Sequence, residues 1–150
     1  MQPNQLLAYV KDTGTAKGRG VFASRPIEPG ELIELCPVIP ITTPYPALPV
    51  ELRLIVFNWQ VLAQERGITA LVLGYGSLYN HANPANARYK AGSDRQSLAI
   101  SAVRRIEQDE EITINYNATA GEPTSVRDTW FAVTGVTPYV PPIEGAGNDG

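Results

Sequence analysis

The side chains able to take part in chemistry fall into three stretches. The first is Gly74-Tyr75-Gly76-Ser77-Leu78-Tyr79-Asn80-His81-Ala82-Asn83-Pro84-Ala85-Asn86, which holds the single histidine of the chain among asparagines, tyrosines and glycines. It follows the apolar run Ile68 to Leu73. A buried strand is expected to end at Gly74, and one helical turn then carries Leu78 and Tyr79 inward. Asn80 and His81 sit where the chain leaves that turn, and Asn83-Pro84 marks another turn, because proline disfavours helix in the residue before it. A well-capped turn in a β-rich core would read the same way.

The second stretch is Lys17-Gly18-Arg19-Gly20-Val21-Phe22. Two glycines spaced by one residue let the backbone approach a ligand and aim its amides and carbonyls at it. The third glycine and the following helix of a dinucleotide site are missing, so that reading fails, while a plain hairpin turn stays open. The third stretch is Glu110-Glu111-Ile112-Thr113-Ile114-Asn115-Tyr116-Asn117. Its alternation describes a half-buried strand ending in a tyrosine, which could equally be a core residue with a satisfied hydroxyl.

These residues must be positioned by short elements. Thirteen glycines and thirteen prolines in 150 residues cut the chain into pieces that suit strands better than long helices. Strands are expected at Ala8 to Lys11, Val21 to Ser24, Glu31 to Leu35 and Val38 to Ile41, the last two broken at Cys36-Pro37. A turn falls at Ile27 to Gly30 and a Pro-rich surface connection at Thr43 to Pro49. Between Glu51 and Gln64 helical and strand spacings compete. We expect a short helical start, a strand through Val61, and a turn into the strand Ile68 to Leu73. Further strands are expected at Arg88 to Lys90, Ser97 to Val103 and Glu111 to Asn115. Arg104 to Glu110 is a charged turn and Ala118 to Asp128 is turn-rich. No internal repeat is evident.

With 43% hydrophobic and 18% charged residues the chain is globular, and its length suits one domain. A net charge of −3 argues against coating nucleic acid. One cysteine, Cys36, and one histidine exclude a disulfide framework and a Cys-rich zinc cluster, and we expect no metal. The N-terminal residues lack a basic and apolar leader, and no run reaches the roughly 18 apolar residues of a membrane helix. The expectation is a soluble, cytoplasmic protein.

Taken in order, the three stretches resemble the SET-domain protein-lysine methyltransferases. The resemblance runs from Tyr9 to Tyr116 and rests on Lys17-Gly18-Arg19-Gly20, the turn before Glu31-Leu32-Ile33, Asn80-His81 with Asn86 six residues on, and Glu111-Ile112-Thr113-Ile114-Asn115-Tyr116. The run from Gly74 to His81 is most similar to the compact, stand-alone members of bacteria and viruses. The fold this implies is mainly β with little helix: several small sheets, and a C-terminal pseudoknot in which the segment after the last strand passes through a loop made by the Asn80-His81 region. A single domain would span 1–133, with a core at 9–116 and a closing segment at 117–133, followed by a flexible tail at 134–150.

The resemblance also implies roles. Lys17, Gly18, Arg19 and Gly20 would contact S-adenosyl-L-methionine largely through the backbone. Asn80 and His81 would hold its amino-acid and adenine portions, His81 through its main chain. Tyr116 would sit beside the methyl and the incoming lysine nitrogen, Tyr75 would line the lysine channel, and Trp130 with Phe131 would fold back over the adenine or the channel mouth. S-adenosyl-L-homocysteine would be the product, and the substrate a protein or peptide segment bearing a lysine. The closing tail could serve its own subunit or, in a homodimer, the other.

The sequence departs from the family pattern at two places. Ala82 stands where a serine is usual, and Ala85 where a proline precedes the last asparagine. A lost hydroxyl removes a hydrogen bond worth about 1 kcal/mol. These departures leave room for a catalytically weak SET-like module that binds a protein partner or senses S-adenosylmethionine. The glycine loop taken alone leaves room for a small-ligand or phosphate-binding β-protein. The Cys-rich flanks of many histone-directed members are absent, which argues against a chromatin substrate.

Overall fold

The computed structural model describes residues 7–117, 119–127 and 129–130. Phe131, the rest of the expected closing segment and the expected tail at 134–150 lie outside the described residues. Among the described residues nine strands form two sheets: β1 (Ala8–Asp12), β2 (Arg19–Ala23), β3 (Leu32–Ile41), β4 (Phe57–Asn58), β5 (Thr69–Val72), β6 (Asn80–His81), β7 (Ala87–Ala91), β8 (Ser97–Ala102) and β9 (Glu111–Ile114). One sheet has the order β1-β2-β9-β6 and the other β4-β5-β3-β8-β7. The only α-helices among the described residues are two short ones, α1 (Val50–Arg53) and α2 (Trp59–Ala63), and none is long and apolar enough to cross a membrane. The mainly β architecture of small sheets is the one expected.

Alternation decides which side of each strand is buried. In β8, Leu98, Ile100 and Ala102 point into the core while Ser97, Ala99 and Ser101 are partly exposed. β3 is one continuous strand and not two, which corrects the break expected at Cys36-Pro37. Proline can end a strand by lacking an N–H, but here only the carbonyl of Pro37 is needed: it accepts from Leu73 N at 2.9 Å. A second correction concerns Trp59–Ala63, which is helical and not strand. The Asn58 side chain accepts from Val61 N at 3.3 Å and caps the turn, and Trp59 and Ala63, four apart, share the buried face.

A third correction is an internal repeat. Arg25–Ile33 and Arg104–Ile112 share the pattern Arg-x-Ile-Glu-x-x-Glu-x-Ile, and they fold alike. Arg25 pairs with Glu31 at 2.5 Å and Arg104 with Glu110 at 2.7 Å. The same glutamates accept from Glu28 N and Glu107 N. Gly30 and Asp109 occupy equivalent left-handed positions, with φ of +82° and +65°. The two turns meet where Ile27 and Ile106 exchange backbone hydrogen bonds, both side chains fully buried. Each buried isoleucine contributes about 1.5–3 kcal/mol. Spaced 79 residues apart, two short patterns escape a search for periodicity. One turn feeds β3 and the other feeds β9, so this joint sets where the third chemical stretch begins.

Candidate active site

β9 lies between β2 and β6, and that placement gathers the three stretches. It pairs antiparallel with β2 through Val21↔Ile112 and Phe22↔Glu111, and parallel with β6 through Asn80↔Thr113 and His81↔Ile114. Asn86 rivets the following loop to the same strand: its Oδ1 accepts from Thr113 N at 2.8 Å and its Nδ2 donates to the Glu111 carbonyl at 2.8 Å.

The Glu111 carboxylate is the centre of the first cluster. One oxygen accepts from Lys17 Nζ at 2.5 Å and the other from Asn80 Nδ2 at 2.8 Å. The same Asn80 amide donates to the Arg19 carbonyl at 2.9 Å, while the Arg19 side chain itself is in an exposed residue. Gly18 has φ +74°, which a side chain would strain. At Gly20 an added Cβ would lie 2.4 Å from a Glu111 oxygen and 2.8 Å from Asn80 Nδ2. Glycine here lets the Glu111 carboxylate and the Asn80 amide pack directly on the backbone of the loop, with no room for a side chain.

Tyr116 follows β9 directly. Its N–H donates to His81 Nδ1 at 3.0 Å and its hydroxyl donates to the carbonyl of Tyr79. Because Nδ1 accepts, the His81 ring is neutral with its proton on Nε2, and it acts as a brace for the tyrosine. The Tyr116 ring lies 5.4 Å from His81 and 5.0 Å, edge-on, from Trp130, whose backbone N–H donates to Asn117 Oδ1. Burial first, and then the charge of Glu111, push the Tyr116 phenol well above its ordinary pKa, so it remains protonated at any working pH.

Tyr116, Tyr79, Tyr89 and Trp130 line a cleft of about 670 Å³ whose far wall is formed by α1, β4 and α2. Tyr89 donates to the Asn115 carbonyl at 3.0 Å, and burial raises its phenol to about 12. Tyr75 is not among the lining residues. Its N–H donates to Glu34, whose other oxygen accepts from the Tyr79 hydroxyl at 2.8 Å, so Glu34 shapes the turn that presents the Tyr79 carbonyl to Tyr116.

The segment after Tyr116 crosses the loop that follows β6. Pro123 O accepts from Ala85 N at 2.8 Å, and Ser125 exchanges hydrogen bonds with Asn83. The Ser125 hydroxyl also receives the amides of Asn115 and Asn117, at 3.1 and 3.0 Å. Gly121 O accepts from Tyr89 N. This is the crossing that the resemblance implied. Ala82 and Ala85 join it through their backbone N–H groups, Ala82 to Ile114 O at 3.0 Å, so neither bond depends on a side chain.

The structure thus brings together Lys17, the Arg19 carbonyl, Gly20, Asn80, His81, Tyr116 and Trp130, with Gly18 shaping the loop, and leaves Tyr75 to the side. Sequence reasoning missed Glu111, Tyr79 and Tyr89 as site residues. Glu111 stands inside the third stretch, and its place one residue before a buried isoleucine marked it as facing the other side of the strand. Tyr79 stands inside the first stretch, where the pattern marks it only as turning inward, and nothing local marked Tyr89.

The SET domain family model matches residues 18–117. Over 107 residues, 71% of each chain, the sequence is 31% identical to a Schizosaccharomyces pombe histone-lysine N-methyltransferase specific for H3 lysine-37. The fold resembles that of a candidate histone methyltransferase of Plasmodium falciparum, with TM-score 0.61 and 27% identity over 77% of this chain and 96% of that one. It also resembles a chain of ctPRC2 in an autoinhibited conformation bound to S-adenosylmethionine, with TM-score 0.58 and 20% identity over 84% of this chain and 16% of that one.

Proposed function

The chain belongs to the SET-domain family of protein-lysine methyltransferases, and on that premise we propose that it uses S-adenosyl-L-methionine to methylate a lysine nitrogen of a protein or peptide by in-line displacement. The observation that carries this reading is the seat of Tyr116, braced by His81 and the Tyr79 carbonyl where the aromatic cleft borders the strand bearing Asn80. The residues present fit the cofactor. Gly20 brings the loop backbone against the Glu111 carboxylate and the Asn80 amide, and the Lys17–Glu111 pair offers the two charges that match the carboxylate and ammonium of an amino acid.

When bound, S-adenosylmethionine supplies a methyl already activated on sulfonium and leaves as S-adenosyl-L-homocysteine. The chain therefore need supply neither nucleophile nor general acid. The Lys17–Gly20 loop, Asn80 and the backbone of His81 hold the cofactor, and Trp130 closes its side of the cleft. Tyr79 and Tyr89 wall the lysine channel, with Tyr75 supporting the turn beneath. A lysine entering among these rings is stripped of water, which lowers its pKa and favours the neutral amine. The Tyr116 hydroxyl donates its hydrogen bond to the Tyr79 carbonyl, so its lone pairs face outward to orient that amine and stabilise developing positive charge.

Calorimetric titration with S-adenosylmethionine and S-adenosylhomocysteine, followed by labelled-methyl transfer, tests the reading. Asn80→Ala releases both the Arg19 carbonyl and a Glu111 oxygen. It should weaken cofactor binding about tenfold, as expected for lost hydrogen bonds to a charged group. A folded protein that binds neither compound would refute the assignment. Histone lysines, named for the relatives, are the first substrates to try.

A further inference from the structure

Arg53 is the sole charged side chain among the described residues lining the cleft. It ends α1, and its carbonyl is held by the Tyr45 hydroxyl at 3.1 Å. Arg25, Arg88, Arg95, Arg104 and Arg105 all find carboxylates at the surface. Arg53, more enclosed, has no ion pair among the described residues, and its Nε is buried without a hydrogen bond. Two other buried polar atoms lack partners, Trp59 Nε1 and Thr69 Oγ1, and they belong to the same stretch of chain; Thr69 also lines the cleft. Leu54, Ile55 and Val61, beside them, are exposed apolar side chains of the cleft wall.

A guanidinium held at the cleft wall without an ion pair is met best by a carboxylate, through charge-assisted N–H···O bonds from its accessible nitrogens. A second cation brought into this cleft would meet like charge with no carboxylate among the described lining residues to offset it. We infer that the cleft selects a lysine whose extended flanking segment is apolar and carries one Asp or Glu side chain that pairs with Arg53. This deepens the methyltransferase reading and rests on it. It also separates the substrate from strongly basic tails, because the described lining of the cleft offers such a tail one cation and no counter-charge.

The test uses fluorescent peptides with one lysine in apolar flanks, in which Glu, Ala or Arg is placed in turn at each flanking position. Binding and methyl transfer are both measured, on the native chain and on Arg53→Gln and Arg53→Glu. One position should favour Glu over Ala by about tenfold in Kd and in kcat/KM, with Arg worse than Ala. Arg53→Gln should level that preference and Arg53→Glu should reverse it toward Arg, a gain that misfolding could not produce. Equal use of the three peptides, or a Glu preference that survives Arg53→Gln, overturns the inference while leaving the enzyme reading intact. Preference for a free over an amidated peptide C-terminus, with no effect of internal Glu, overturns the side-chain assignment. An Arg53-dependent Glu preference in binding, with no methyl transfer to any peptide, upholds the pairing and refutes the enzyme reading.

Discussion

Tyr116→Phe is expected to lower methyl transfer by about a hundredfold or more, the cost of removing a positioned polar group from a reacting centre. Cofactor affinity should stay within about twofold, because an interaction used only in the transition state affects rate and not ground-state binding. The ring would keep its contacts with His81 and Trp130, and its backbone N–H would still reach His81 Nδ1. What goes is the hydroxyl that donates to the Tyr79 carbonyl, and with it the lone pairs proposed to orient the amine. The orphaned carbonyl adds a penalty of about 1–3 kcal/mol, so a modest fall in stability should accompany the rate loss. Labelled-methyl transfer and calorimetry on the same preparation separate the two. If rate and methylation state are both unchanged, the tyrosine only supports packing and the site is misassigned.

Gly121→Ala is expected to give the largest loss of stability, about 3 kcal/mol. Gly121 has φ +88°, and a Cβ there would lie 1.9 Å from the carbonyl oxygen of Tyr89. Both parties are backbone, so no side chain can swing aside. The crossing segment would have to lift from β7 and loosen the Ser125 bonds to Asn83, Asn115 and Asn117. Asn115 is fully buried, and its amide would lose Pro123 O and Ser125 Oγ together. Denaturant unfolding reads the stability loss, and methyl transfer should fall with it, since Asn117 also holds Trp130. A variant as stable and as active as the native chain would show that the crossing is not what closes the site.

Much of the candidate site was legible in residue types and their order. Gly18, Gly20, Asn80, His81 and Tyr116 stand out because glycine and amide side chains are chosen where the backbone must approach a ligand or a turn must be tied. The strands with clean alternation, β8 and β9, were also legible, because a half-buried strand writes its two faces into every second residue. Where two signals competed the local reading failed. Pro37 spoke for a break that its carbonyl bond to Leu73 overrides, and Trp59, Gln60 and Val61 alternated like a strand until Asn58 capped them into a helix. The paired Arg-x-Ile-Glu turns escaped notice because their likeness lies in five spaced residues and not in a period.

The sequence by itself determined a mainly β fold and three chemical stretches in a fixed order. Alternation, turn residues and composition act over a few neighbours, and they suffice for that. Only the tertiary structure decided who meets whom: Glu111 between Lys17 and Asn80, Tyr79 as the acceptor for Tyr116, Ser125 locked to Asn83, and Arg53 facing the aromatic cleft. Those contacts follow from a two-residue parallel pairing of β6 with β9 and from a crossing that ties residues dozens of positions apart. Strand periodicity specifies a face but never a partner, so the choice of partner belongs to the packing of the whole chain.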